Sequence, residues 1–213
     1  MRNSSYSIVC FLFLMLVVGG ITSSCSKDDV DYGYLSGEFR LDFATVLFEN
    51  DSLILALDSQ DTLRSSDFSS LSFTKKSGQR VIVNHSPDEG DGIVIHSVTD
   101  ILTSRIYSSA NLDTLSADPV KIQSIWMGGG YLNLILYFNY YSTTHKFGLY
   151  RSADSANVLV LSHDKQGDSE GYPVRVYMSF LLNGLEKSAD DSTRFSVDVP
   201  TSSGTSTYQF SFL

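Results

Sequence analysis

The chain has 213 residues, 42% hydrophobic and 18% charged, with two cysteines and four histidines. That apolar content supports a buried core and excludes global disorder. The formal charge of −9 argues against a nucleic-acid partner, which needs excess cations to meet phosphates, and two thiols exclude a disulfide scaffold or a four-thiolate zinc site.

Residues 1–24 read as a lipoprotein signal peptide. Arg2 supplies a positive start, and Ile8 to Val18 is an apolar run of 11 residues. Spanning a bilayer takes about 20 residues, so the run suits a signal h-region. Small residues follow, and Ile21-Thr-Ser-Ser-Cys25 looks like a lipobox, whose cysteine becomes residue one and carries a diacylglycerol. Lys27, Asp28 and Asp29 then resemble the surface-export tag of Bacteroidetes lipoproteins. An ordinary secretory signal with an incidental cysteine is the competing reading. The expected place is the outer membrane, facing the cell surface, with a periplasm-facing anchor as the alternative. Cys10 leaves with the signal and Cys25 is acylated, so thiol chemistry drops out. Residues 25–34 form the acylated cysteine and a polar tether.

From Gly37 the pattern alternates. Phe39, Leu41 and Phe43 fall on one face of a predicted strand. Further strands are predicted at Leu53–Leu57, Gln79–Asn84 and Ile93–Val98, with Leu71–Phe73 a short candidate and an irregular segment through Ile101, Leu102 and Ile106. Pro87 to Gly92 is a turn signal. Polar residues 108–119 mark a domain boundary, placing one domain at 35–115 and another at 116–213. Segments 26–117 and 118–213 carry −8 and −2. The second half holds seven strand candidates: Val120–Trp126, Tyr131–Tyr141, His145–Arg151, Val158–His163, Val174–Leu181, Thr193–Val199 and Thr207–Leu213. Short strands at this spacing predict an all-β protein ending in a β-sandwich.

Four segments carry a family resemblance: Gly37-Glu-Phe-Arg-Leu-Asp-Phe-Ala-Thr-Val46, Arg80-Val-Ile-Val-Asn84, Ser97-Val-Thr-Asp-Ile-Leu102 and Ile125-Trp-Met-Gly-Gly-Gly-Tyr-Leu-Asn-Leu134. The mature chain resembles the NigD-like lipoproteins of Bacteroidetes over almost its whole length. The stretch from Trp126 to Tyr131 is the most specific piece. The resemblance implies an N-terminal OB-like barrel of about five strands followed by a C-terminal antiparallel β-sandwich. It also implies a role in bacteriocin immunity, from the family's link to a bacteriocin locus. The family brings no catalytic residues to transfer.

The residues themselves mark little chemistry. His85, His96, His145 and His163 form no metal motif, although His145 and His163 sit at strand ends and could meet on folding. Turn or surface histidines are the plainer reading. Asp88-Glu89-Gly90-Asp91 and the loop from Asp164 to Glu170 do not match calcium-loop spacing and read as solvated turns. Neither a Gly-x-Ser-x-Gly elbow nor a phosphate loop occurs, and Gly128 to Gly130 suit a tight connection between strands. Phe73, Lys75, Lys76 and Arg80 form a basic-aromatic cluster, outweighed by the −8 of that segment. No enzyme activity, cofactor or metal is expected.

One strand offers a candidate surface. Leu132, Leu134, Leu136, Phe138 and Tyr140 share one face, which belongs in the core. The other face presents Tyr131, Asn133, Ile135, Tyr137, Asn139 and Tyr141. Tyr131, Asn133, Tyr137, Asn139 and Tyr141 form a candidate binding stripe for a protein or peptide, with a glycan as the alternative. The competing reading is a strand covered by its neighbour domain. The function expected is a lipid-anchored envelope protein that binds a partner outside the cytoplasm. A structural component of a surface assembly is a further alternative.

Overall fold

The computed structural model describes residues 39–213 apart from 51, 65, 88–92, 111, 154, 156 and 188–190. Cys25, the Lys27–Asp28–Asp29 tag and the tether lie outside the described residues. Period-two alternation becomes two sheets. The first runs in the order β3-β2-β1-β4-β5, from β1 (Arg40–Glu49), β2 (Ser52–Leu57), β3 (Thr62–Arg64), β4 (Arg80–Pro87) and β5 (Ile93–Asp100). All its ladders are antiparallel, and it curls into an OB-like half-barrel.

The second sheet contains β6 (Leu102–Ala110), β7 (Lys121–Gly128), β8 (Tyr131–Tyr140), β9 (Lys146–Ser152), β10 (Val158–Asp164), β11 (Tyr172–Leu181), β12 (Thr193–Thr201) and β13 (Gly204–Phe212). Its order is β13-β12-β10-β9-β6-β11-β8-β7. Strand β6 makes this sheet a sandwich. Its first residues, Leu102–Arg105, pair with β11, and from Ile106 it pairs with β9. It thus passes from one layer to the other. Both β6 ladders and the β10–β12 ladder are parallel, and the rest are antiparallel.

The core follows from the alternation. Leu132, Leu134, Leu136 and Phe138 of β8 pack in one cluster with Leu149, Leu159, Leu161, Phe195, Val197 and Val199. Each wholly buried leucine of this set contributes about 1.5–3 kcal/mol relative to exposure. The half-barrel, by contrast, buries both faces of its sheet. Ala44, Val46, Leu55, Val81, Val83 and Val98 fill its own interior. Phe43, Ile82 and Ile101 meet Trp126, Ile135 and Tyr177 of the sandwich, with the Phe43 and Trp126 rings 4.9 Å apart, edge to face. Phe39 and Leu41 share the strand face of Phe43 but stay 53% and 69% exposed.

A polar fastener completes that contact. Arg80 has no solvent exposure. Its Nη2 bonds Asp58 at 2.7 Å and Asn133 Oδ1 at 3.1 Å; its Nη1 donates to Thr45 Oγ1 at 2.9 Å, and Nε to Ser179 Oγ at 3.3 Å. The guanidinium also lies 4.7 Å from the Tyr131 ring centre. Thr45, Asp58 and Arg80 come from the half-barrel, while Tyr131, Asn133 and Ser179 come from the sandwich.

Two sequence expectations change here. The sequence places the domain boundary between residues 115 and 116; the passage between sheets falls at Ile101, because β6 belongs to the sandwich. Leu71–Phe73 is not a strand, and the third strand of the half-barrel is Thr62–Arg64. Strand β3 is only three residues long, and β6 changes layers along its length, so it shows no clear alternation.

The glycine run has a specific task. Gly129 (φ +58°) and Gly130 (φ +81°) form the two-residue turn between β7 and β8, with Gly128 paired to Tyr131. Two positive φ angles make the mirror-image turn that suits the twist of a hairpin. Asp58 lies against it. A Cβ on Gly128 would meet Asp58 Oδ2 at 2.5 Å, and one on Gly129 would meet Asp58 Oδ1. Gly130 has open space. Left-handed backbone costs an alanine about 1–2 kcal/mol. In urea denaturation, Gly130→Ala should lose that much, and Gly129→Ala clearly more because it also displaces Asp58 from Arg80. Equal losses would show that the Asp58 contact is unimportant.

Candidate functional site

The five stripe residues part company in the structure. Tyr131 is buried and donates its hydroxyl to the Gly78 carbonyl at 3.2 Å. Burial pushes its phenol above the ordinary value; Arg80 opposes that and Asp58 adds to it. Asn133 has no exposure: Oδ1 accepts from Ser179 Oγ at 2.6 Å and from Arg80, while Nδ2 donates to Asp58 at 2.9 Å. These two residues fasten the sheets together and are withdrawn as surface contacts. The half-barrel covers the first half of the outer β8 face. Beyond it, Tyr137 is half-buried, and Asn139 and Tyr141 are exposed, Tyr141 to 63%.

The open end of β8 is therefore the candidate site. The chain turns after Tyr140, and Asp168, from the turn after β10, organises that turn. Its carboxylate accepts backbone N–H bonds from Tyr141 at 2.8 Å, Ser142 at 3.2 Å and Thr143 at 3.1 Å. His145 Nε2 adds a contact at 3.1 Å. Both side chains of this last pair are 2% exposed. Burial works to raise the Asp168 pKa, but the three amides and His145 outweigh it and hold the carboxyl well below the usual range.

The sequence leaves open a meeting of His145 and His163, and the structure brings it about. His145 Nδ1 lies 2.8 Å from His163 Nε2, and His163 Nδ1 lies 3.0 Å from the Asp118 carbonyl. The His163 ring stacks on Phe147 at 4.4 Å, and Phe138 lies 4.5 Å from His145. Burial lowers the His163 pKa, the Asp118 carbonyl opposes that, and His145 lowers it further. The turn from Asp164 to Glu170, read as solvated, is so only in part. Asp164 accepts the Gln166 N–H at 2.8 Å, as an aspartate in a turn does, but Asp168 points inward.

A cavity of about 290 Å³ opens beside this cluster. Tyr137, Asn139, His145, His163, Lys121 and Pro173 are among its lining residues. The cluster resembles a carboxylate–imidazole relay, yet every ring nitrogen already faces a protein partner. The far end is a backbone carbonyl, not a hydroxyl or thiol that could act as nucleophile. Among the described residues no group of three His, Cys, Asp or Glu is placed to hold a metal ion. The basic-aromatic cluster does not assemble as a groove either. Arg80 is buried, while Lys75 lies 5.4 Å from the centre of the Phe73 ring. What remains chemically is a set of aromatic, amide and charged groups at the end of a strand.

A family model described as the NigD-like C-terminal beta sandwich domain matches residues 104–212. Among solved structures, a NigD-like immunity protein from Bacteroides caccae superposes with a TM-score of 0.64 at 26% identity, over 82% of this chain and 96% of that chain. A protein named as a candidate toxin-related protein from Parabacteroides distasonis gives a TM-score of 0.72 at 24% identity, over 82% and 93%. A protein of unknown function from Bacteroides vulgatus gives 0.65 at 21%, over 82% and 91%. No curated protein matches the sequence.

The lowered Asp168 pKa fixes the sign of an acid effect. A carboxyl whose folded value is depressed stabilises the fold above its unfolded value near 4, and that contribution is lost as pH falls through the lower folded value. The stability gap between wild type and Asp168→Asn should narrow as pH falls below about 4. Denaturant titrations across that range would test this.

Proposed function

This chain belongs to the NigD-like family, and on that premise we propose a non-enzymatic, lipid-anchored envelope protein that binds a protein or peptide outside the cytoplasm. The observation that carries the binding role is the open end of β8. Tyr137 and Asn139 line a cavity, and Tyr141 stands 63% exposed on the same strand end. Tyrosine offers a large rigid contact with a polar tip, the kind of side chain enriched at interfaces. Asp168 and the His145–His163 contact stiffen the turn behind it, which limits the ordering cost of binding.

The anchor proposal rests on Cys25 and its preceding lipobox, and the surface-facing location on Lys27, Asp28 and Asp29. A lipid tether would hold the domain where an incoming toxin arrives and raise its effective concentration there. Immunity against a bacteriocin fits that placement, and the Bacteroides caccae neighbour bears the immunity name. A glycan is the second reading. It is favoured by Tyr172, 79% exposed on β11, whose backbone pairs with Tyr140 next to Tyr141.

Crosslinking in intact cells, from a photoreactive group at Asn139, should capture a discrete protein. An aromatic anchor at the centre of such a contact is worth about 2 kcal/mol, so Tyr137→Ala with Tyr141→Ala should weaken purified partner binding at least thirtyfold, roughly. Unchanged binding by the folded double variant would remove this end as the site. Cys25→Ser should leave the membrane fraction.

A further inference from the structure

His145 and His163 together present four ring nitrogens, and all four are engaged. The outer contacts go to the Asp168 carboxylate at 3.1 Å and the Asp118 carbonyl at 3.0 Å. Both partners accept only, so each outer nitrogen must carry a hydrogen. The central contact, 2.8 Å between the rings, needs one more hydrogen on one side. Two neutral imidazoles carry one ring hydrogen each, which leaves the set one short. Wherever those hydrogens are placed, two acceptors then face each other. Two imidazolium rings fail the other way, with N–H against N–H at the centre.

We propose that the pair holds a single extra proton in the folded protein. His145 is the imidazolium, His163 the neutral Nδ1–H tautomer, and Asp168 the counter-ion. This buried proton is a latch on the turn that carries the open end of β8.

The assignment to His145 follows from its neighbours. Its Nε2 meets the Asp168 carboxylate, which three backbone amides keep ionised, so the proton resides on the ring and not on the acid. His163 donates from Nδ1 to Asp118 and accepts at Nε2, as a neutral ring can. Burial favours that neutral state. The Phe138 ring, 4.5 Å from His145, adds a face that attracts a cation.

Other charged or titratable groups surround the cluster. Lys121 comes from β7, Tyr137 and Tyr140 from β8, and Asp164 from β10, while Asp100 from β5 and Arg175 and Tyr177 from β11 line a second pocket with His145. Lys165 and Glu170 lie on the turn after β10. Asp118 is engaged elsewhere, its carboxylate accepting the Lys165 N–H at 2.8 Å. Asp168 is the carboxylate bonded to His145 itself.

The latch joins the β8–β9 turn to the turn after β10. The proton ties the two turns through a charge-assisted contact from His145 to the Asp168 carboxylate. Losing the proton leaves an acceptor facing an acceptor, and the turn from Tyr141 to Thr143 should loosen.

The test is nitrogen NMR on the intact chain labelled at its four histidines, with His85→Gln and His96→Gln to assign the signals. Near neutral pH, His145 should show two protonated nitrogens and His163 one bare nitrogen. Once the pH is raised until the His145 signal shows one bare nitrogen, exchange of the Tyr141, Ser142 and Thr143 amides should accelerate about tenfold or more beyond the intrinsic pH effect, the worth of one hydrogen bond to a charged group. A bare nitrogen on His145 at neutral pH overturns the charge assignment. Titration without faster amide exchange overturns the latch.

Discussion

A fully buried guanidinium holds this fold in register. Arg80 leaves β4 on the face turned toward the sandwich and bonds Asp58 and Thr45 behind it and Asn133 and Ser179 ahead of it. An ion pair in such a place is weak evidence of added stability, since apolar side chains of similar volume often do as well. Losing one partner is another matter, at about 3–5 kcal/mol, because a charge is then stranded out of water. What the network supplies is position. Its donors diverge, and each ties a different strand or connection. Phe43, Ile82 and Trp126 pack beside it as an apolar contact with no directional preference of its own.

Several local features follow from that constraint. Asp58 must approach the β7–β8 turn closely, which leaves no room for a Cβ on Gly128 or Gly129. Tyr131 and Asn133 are drawn into the contact and lost to the surface. Strand β8 is consequently divided along its length. Its first half serves as an interface within the molecule, and its far end carries Tyr137, Asn139 and Tyr141 toward solvent. The second polar cluster, around Asp168, stands at that far end and fixes the turn there. The strand end is thereby held in place at the edge of the sandwich, with its aromatic and amide groups facing outward.

Much of this was legible in the residues, and the exceptions have physical causes. All seven strands expected in the second half are present, because period-two alternation is a direct signature of a half-buried strand. Strand β6 lacks that signature because it serves two layers, so Leu102 is 40% exposed while Ile106 is buried. Alternation also shows which side chains share a face, but not what covers that face. Hence the sequence pattern puts Tyr131 and Asn133 together with Tyr137, Asn139 and Tyr141. The same limit hid Arg80, which reads as part of a basic surface beside Lys75 and Lys76. Histidines 18 positions apart gave no motif; the β9–β10 hairpin brings them together. Asp168 looked like one more turn carboxylate, and only the course of the turn after Tyr140 aims three amides at it.

That the two sheets fold as one fastened unit can be tested with a probe already present. Trp126 is the single tryptophan and packs against Phe43 between the sheets, whereas far-UV circular dichroism reports strands throughout. Urea unfolding of the intact chain should give the same midpoint and slope by Trp126 fluorescence and by circular dichroism, as a cooperative transition requires. An early fluorescence transition, with most of the β signal retained, would contradict the account: it would mean that the sheets separate before either unfolds and that Arg80 does not join them into one unit.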